Sequence, residues 1–245
     1  MSHERDQFVM TEDGKRIAVR HSKNGFSKVV IIAHGFYNNK DSALFKGIAG
    51  AFSKGYDVIS FDFRGHGKSS HVFTWTAHEQ KDLRAVIAYA KVLYSKVGVI
   101  GFSLGAAIAL LEAGRHDGIN SVIAVSSPAD LREINYHFWE KDMLKDLELN
   151  LGTKGRGKGV RPGNPFLKKT RPIDVVDKIS PIPVLFLHGE KDWLVKPEHS
   201  QRLFDRAKEP KALTIMNDGG HAERMFDAFS DQFMKICSER FKDTL

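Results

Sequence analysis

The 245-residue chain predicts an α/β protein with a mostly parallel central sheet and helices on both faces. Three observations carry that prediction. Short, continuous β-branched runs recur along the chain, the mark of strands buried on both faces. Segments with apolar residues at helical spacing separate them, as right-handed crossovers between parallel strands require. Between one such run and one such helix stands Gly101-Phe102-Ser103-Leu104-Gly105, a Gly-x-Ser-x-Gly turn.

The elements follow in order. Phe8-Val9-Met10 and Ile17-Ala18-Val19 flank Asp13-Gly14, a β-hairpin pattern. Val29 to Ala33 is a buried strand ending in His34-Gly35-Phe36, and a helix follows through Leu44, Ile48 and Phe52. Asp57 to Phe61 is the next strand, running into Asp62-Phe63-Arg64-Gly65-His66-Gly67-Lys68-Ser69. Leu83, Val86, Ile87 and Ala90 give Ala77 to Tyr94 a helical period. Val97 to Ile100 is the strand before the serine turn, and Ala106 to Leu111 is the helix after it. Ser121–Val125, Pro183–Leu187 and Ala212–Met216 complete the strands, and a terminal helix is expected over Phe226 to Phe241.

One region interrupts the alternation. Residues from about 129 to 178 lack a central-strand pattern. They are expected to form a small cap insertion within a single domain spanning 1–245. Leu131, Ile134, Phe138, Leu144, Leu147 and Leu151 have helical spacing there. Phe138, Trp139 and Met143 are candidate substrate-binding residues on that helix, with ordinary core packing as the alternative.

Composition narrows the class. Hydrophobic content of 42% with 27% charged residues reads as globular. A single cysteine, Cys237, excludes an intramolecular disulfide and fits a reducing compartment; its apolar helical neighbours mark it as a core filler. The polar start Met1 to Asp6 does not read as a secretory signal. No apolar run approaches the roughly 20 residues of a membrane span, so a cytoplasmic protein is expected. The net charge is +7, and Lys154, Arg156, Lys158, Arg161, Lys168, Lys169 and Arg171 fall between Leu151 and Ile173 with no acidic residue. The basic balance therefore belongs to one segment and is not the footprint of a nucleic-acid-binding domain. That segment reads as a solvated loop, or as a patch for carboxylate, phosphate or anionic lipid headgroups. It lacks the interleaved aromatics of a base-stacking surface, and its glycines disfavour an amphipathic membrane helix.

The chemistry starts at Ser103. A serine hydroxyl is a weak nucleophile until an oriented base removes its proton. Asp192 lies just past the Pro183 strand and His221 just past the Ala212 strand, both at the carboxyl ends of parallel strands where an open α/β sheet forms its crevice. The chain order Ser103, Asp192, His221 is the order expected for this turn type. Asp130 competes for the acid position, although it also suits a cap for the helix expected to begin at Leu131. Asp218 reads as a turn residue, His34 and His66 as loop-shaping hydrogen-bonders, and His188 as part of a strand end. No histidine pair has zinc-ligand spacing, and position 62 is Asp62, which breaks the phosphate-loop pattern that ends in Lys68-Ser69.

These motifs together resemble the α/β-hydrolase superfamily, from His34 to His221. The likeness rests on His34-Gly35, Asp62-x-Arg64-Gly65-x-Gly67-x-Ser69, Gly101-x-Ser103-x-Gly105 and the Asp192 and Gly220-His221 loops. The arginine-glycine loop is most similar to the esterase, monoglyceride-lipase and serine-aminopeptidase-like branch. Phe102, where that branch often has histidine, and Ala106, where it often has glycine, depart from it. The resemblance implies an α/β-hydrolase fold and an oxyanion hole made by the backbone N–H groups of Phe36 and Leu104, with the Phe36 ring beside the acyl pocket. It implies a cofactor-free serine hydrolase with no metal, a carboxylesterase for small to medium acyl esters acting through Ser103, His221 and Asp192. Thioesterase or monoacylglycerol-lipase activity is the near alternative. A non-catalytic binding protein on the same fold is the alternative of a different class. A small-molecule ester is the expected partner, with no nucleic acid and no membrane span.

Overall fold

The computed structural model describes residues 3–115, 118–134 and 160–245. Phe138, Trp139, Met143 and Leu144 therefore lie outside the described residues, as do Lys154, Arg156 and Lys158 and half of the expected cap, residues 135–159.

Eight described strands form one sheet: β1 (His3–Met10), β2 (Arg16–Lys23), β3 (Lys28–Ala33), β4 (Asp57–Phe61), β5 (Lys96–Phe102), β6 (Ser121–Val125), β7 (Val184–Gly189) and β8 (Lys211–Met216). Their spatial order is β1-β2-β4-β3-β5-β6-β7-β8. The β1–β2 and β2–β4 pairs are antiparallel, and every pair from β4 to β8 is parallel. The helices are α1 (Ala43–Phe52), α2 (Glu79–Leu93), α3 (Leu104–Ala113), α4 (Glu198–Arg206), α5 (Arg224–Ala228) and α6 (Ser230–Thr244).

The β-branched runs behave as their pattern predicts. Val29, Ile31 and Ala33 point to one face with α2, α3 and Leu203 of α4; Val30 and Ile32 point to the other with Phe45, Ile48 and Phe52 of α1 and Phe233, Cys237 and Phe241 of α6. Both faces are thus covered, which a parallel sheet requires. Cys237 is buried in the second layer. All ten residues of α3 are buried, so its alanine-rich sequence lets it pack tightly on the sheet. Among the described residues, no helix is long and apolar enough to cross a membrane.

One helical expectation is corrected, and one helix has no counterpart in the sequence pattern. The terminal helix is two helices, because Phe229 leaves helical geometry (φ −138°, ψ 51°). Met225, Phe229, Phe233, Cys237 and Phe241 keep a spacing of four across the break, so periodicity alone reads one continuous helix. Helix α4 escapes the hydrophobic pattern altogether. Its buried side is His199, Ser200 and Leu203, two of them polar.

The arginine-glycine loop after β4 is a structural knot. Asp62 accepts from the N–H of Lys40 (2.7 Å) and Lys68 (2.9 Å), and a β-carbon on Gly67 would stand 2.3 Å from that carboxylate. Ser69 donates to Asp62 O and accepts from Ala18 N–H. Arg64 is buried, with its guanidinium shared between Asp82 and Asp13. Each charge here is hydrogen-bonded, the condition for burying it.

Candidate active site

Ser103 stands at the β5–α3 junction with φ 52° and ψ −112°, a conformation few side-chain-bearing residues adopt. The flanking glycines make it possible. A β-carbon on Gly101 would lie 2.4 Å from Gly105 O, and one on Gly105 would lie 2.2 Å from Ala33 O. Strand, turn and helix are therefore closer than any other residue permits, and the serine is pushed out at the carboxyl edge of the sheet.

Two loops meet it there. The loop after β7 carries Asp192 and the loop after β8 carries His221. Their backbones are in contact: Lys191 N–H donates to Gly219 O (2.8 Å) and Glu190 N–H to Met216 O (2.9 Å). A β-carbon on Gly189 would meet Gly219 O and Gly220 O, each at 2.3 Å. The Ser126 hydroxyl at the end of β6 accepts from Ala222 N–H (3.0 Å), which anchors the histidine loop from a third strand.

The result is a continuous chain of contacts. His221 Nε2 is 2.9 Å from Ser103 Oγ, and His221 Nδ1 is 2.7 Å from Asp192 Oδ2. Asp192 is buried, and its Oδ1 accepts from the N–H of Leu194 (3.0 Å) and Val195 (2.9 Å). Burial alone would raise its pKa, but His221 and His188 outweigh burial and hold the carboxyl well below the usual range. It is a carboxylate at every physiological pH.

Asp130 is elsewhere employed. It accepts from Arg132 N–H and pairs with the Arg132 and Arg171 guanidiniums, capping the short turn Leu131–Glu133. Arg132, then burial opposing it, sets its pKa, which falls to about 2. It makes no hydrogen bond to His221 among the described contacts.

The loop before α1 approaches from the other side. A β-carbon on Gly35 would lie 3.6 Å from Ser103 Cβ, so Phe36 follows directly beside the serine. The Phe36 and Leu104 N–H groups donate no hydrogen bond to any described residue. Leu104 opens α3, whose first N–H groups have no partner within the helix. Asn38 Nδ2 donates to Glu223 Oε1 (2.7 Å), bridging the Phe36 loop to the His221 loop.

The sequence reading missed three features. Trp75 and Phe73 form an aromatic face with Phe36, with ring centroids 5.0–5.4 Å apart. Trp75 and Thr76 both sit in left-handed geometry, as does His71. Arg161 fastens this segment. Its guanidinium donates to the carbonyls of His71 (3.0 Å), Gly67 (3.5 Å) and Ser69, while Phe73 N–H donates to Arg161 O (2.7 Å). The third is the Asn38–Glu223 bridge. Periodicity signals none of them, because all join residues far apart in the chain. Arg161 also revises the reading of the basic segment: this charge is bound to backbone carbonyls, Arg171 pairs with Asp174, and Lys169 donates to Pro165 O and Leu167 O.

The fold and this geometry define the class. Residues 28–156 match the alpha/beta hydrolase fold family, and the chain belongs to it. YfhR of Escherichia coli (strain K12) is 29% identical over 221 residues, covering 87% of this chain and 68% of that protein. YqkD of Bacillus subtilis (strain 168) is 32% identical over 206 residues, covering 79% of this chain and 64% of that protein. The chain thus spans about two thirds of their length. In structure it is similar to the Pyrococcus furiosus esterase Pf2001, with a TM-score of 0.79 at 25% identity, covering 99% of this chain and 93% of that one.

Proposed function

We propose that the protein is a serine carboxylesterase acting on small to medium acyl esters. The hydrogen-bond chain Ser103–His221–Asp192, at 2.9 and 2.7 Å, carries the reading. Asp192 accepts the Nδ1–H of His221, which leaves Nε2 with its lone pair facing the Ser103 hydroxyl. As Ser103 Oγ attacks the ester carbonyl carbon, its proton passes to His221 Nε2, and Asp192 stabilises the imidazolium. The carbonyl oxygen becomes an oxyanion received by the N–H groups of Phe36 and Leu104, each donor commonly worth about 3 kcal/mol of barrier. His221 then returns the proton to the departing alcohol. A water, deprotonated by His221, attacks the acyl-enzyme and releases the acid and Ser103.

In this reading the Phe36–Trp75 face receives the acyl group, and the described residues that return from the expected insertion, from Val160 onward, border it. Arg161 supports that placement, since it joins the returning end of the insertion to the aromatic segment. The similarity to an esterase of known structure supports the ester as substrate. Intact-mass detection of a fluorophosphonate adduct tests the proposal. A single adduct on the wild type, absent from Ser103→Ala, is expected, together with hydrolysis of p-nitrophenyl esters across an acyl-length panel that includes thioesters. A folded protein that forms no adduct would instead favour a binding protein on the same fold.

A further inference from the structure

His188 is a fully buried imidazole to which the mechanism above gives no task. It lies at the end of β7, beneath the Asp192 loop. Its Nε2 faces two oxygens, Val195 O at 2.7 Å and Asp192 Oδ2 at 3.2 Å. Its Nδ1 faces the Ser200 hydroxyl of α4 at 2.6 Å. A ring nitrogen between two acceptors must carry hydrogen, and a hydroxyl can donate to the other nitrogen, so the contacts fit the neutral Nε2–H tautomer.

Asp192 thereby has four N–H groups around it: three donate hydrogen bonds, and the fourth, His188 Nε2–H, stands 3.2 Å from Oδ2 with its shorter contact to Val195 O. Leu194 and Val195 hold Oδ1, while His221 and His188 both point at Oδ2. Val195 is used twice, its N–H by Asp192 and its carbonyl by His188, so the loop closes on itself around the carboxylate. We infer that His188 is a positioning residue: its Nε2–H, aimed by Ser200, holds the Asp192 carboxylate in line with His221 and tempers its basicity. This rests on the proposed Ser103–His221–Asp192 triad.

The consequence has a sign. A carboxylate that shares its charge among more donors stabilises an adjoining imidazolium less. Removing His188 therefore raises the proton affinity of His221 and moves the acid limb of kcat/KM to higher pH. The titratable groups around His188 are Asp192 from its own loop, His221 from the β8 loop and His199 from α4. Beyond His199 stands the Glu133–Arg202 ion pair.

Hydrolysis of p-nitrophenyl butyrate by wild type and Ser103→Ala comes first. Undiminished turnover in Ser103→Ala defeats the triad reading itself. With Ser103→Ala inactive, His188→Gln places an amide N–H near the Nε2 position and is expected to keep kcat within a factor of about three. His188→Met is expected to lose about 10- to 100-fold in kcat with KM little changed, and to move the acid limb up by about half a unit. Equal losses in both variants, or a limb that stays in place in His188→Met, overturn the inference. Should His188→Met fail to fold, imidazole ¹⁵N spectra of the wild type decide. A His188 signal in the Nε2–H form at about pH 7.5 upholds the inference; an Nδ1–H form overturns it.

Discussion

Ser103 and Asp130 illustrate how far single residues are readable. Ser103 keeps a conformation that only its glycine neighbours allow, so Ser103→Ala removes the hydroxyl and leaves the turn intact. A drop in kcat of roughly 10⁶-fold with an unchanged melting curve is expected, measured on p-nitrophenyl butyrate. Asp192→Asn keeps the shape but favours the wrong His221 tautomer, and a loss near 10⁴-fold is expected. Asp130→Asn provides the contrast: full turnover, with a stability loss of at most about 1 kcal/mol from the weakened cap. If Asp130→Asn were the inactive variant, the acid assignment would be wrong. The two aspartates occupy similar places in sequence, each shortly after a buried strand. They differ in what stands opposite: His221 faces Asp192, and arginines face Asp130.

At the scale of elements, close backbone approach decides the geometry. Gly189 lets the β7 and β8 loops touch, and Gly189→Ala would drive a methyl group into two carbonyl oxygens at 2.3 Å. The loops must part, which separates Asp192 from His221. Gly189→Ala is expected to lose about 1–3 kcal/mol of stability in urea titrations and most turnover in the same preparation. The aromatic segment gives a subtler outcome. Trp75→Ala should lower kcat/KM for octanoyl esters about tenfold relative to acetyl esters, because the lost contact is made only by a longer acyl chain. Equal effects on both esters would remove Trp75 from the acyl site.

For the whole molecule, the buried histidines set the acid limit of stability. Burial, reinforced by Lys40, outweighs the favourable contact with Gly35 O and takes the His34 pKa to about 4; burial and then His34 take that of His66 to about 3. Burial and then Lys23 take that of His21 to about 4. An unfolded histidine binds a proton below about pH 6.5, whereas these stay neutral in the fold until far lower pH. Below pH 6.5 the unfolded state therefore takes up more protons, and stability falls as pH drops toward about 4. Asp41 and Asp130, each held at about 2 in the fold, extend the loss below pH 4 as they protonate. Urea midpoints at pH 7, 5.5 and 4 should decline in that order; a flat profile from 7 to 4 would show that the histidines are hydrated or already charged.

The sequence by itself determined the fold class, the strand order along the chain and two of the three residues now found in one hydrogen-bond chain, Ser103 and His221, with Asp192 as one of two candidates for the third. Those properties are local. A β-branched run, a glycine pair around a serine and a histidine after a strand are complete within a few neighbouring residues. Tertiary structure alone decided which aspartate meets His221, that Phe73 and Trp75 stand beside Phe36, that Arg161 is spent on backbone carbonyls, and that His188 points at Asp192. All but the last are contacts between segments tens of residues apart, and His188 and Asp192, four residues apart, meet only because the loop after β7 turns back on itself. The break at Phe229 and the polar underside of α4 were hidden for a related reason. Hydrophobic spacing reports what is buried, and it is silent where the buried groups are polar or where a helix ends without changing the period.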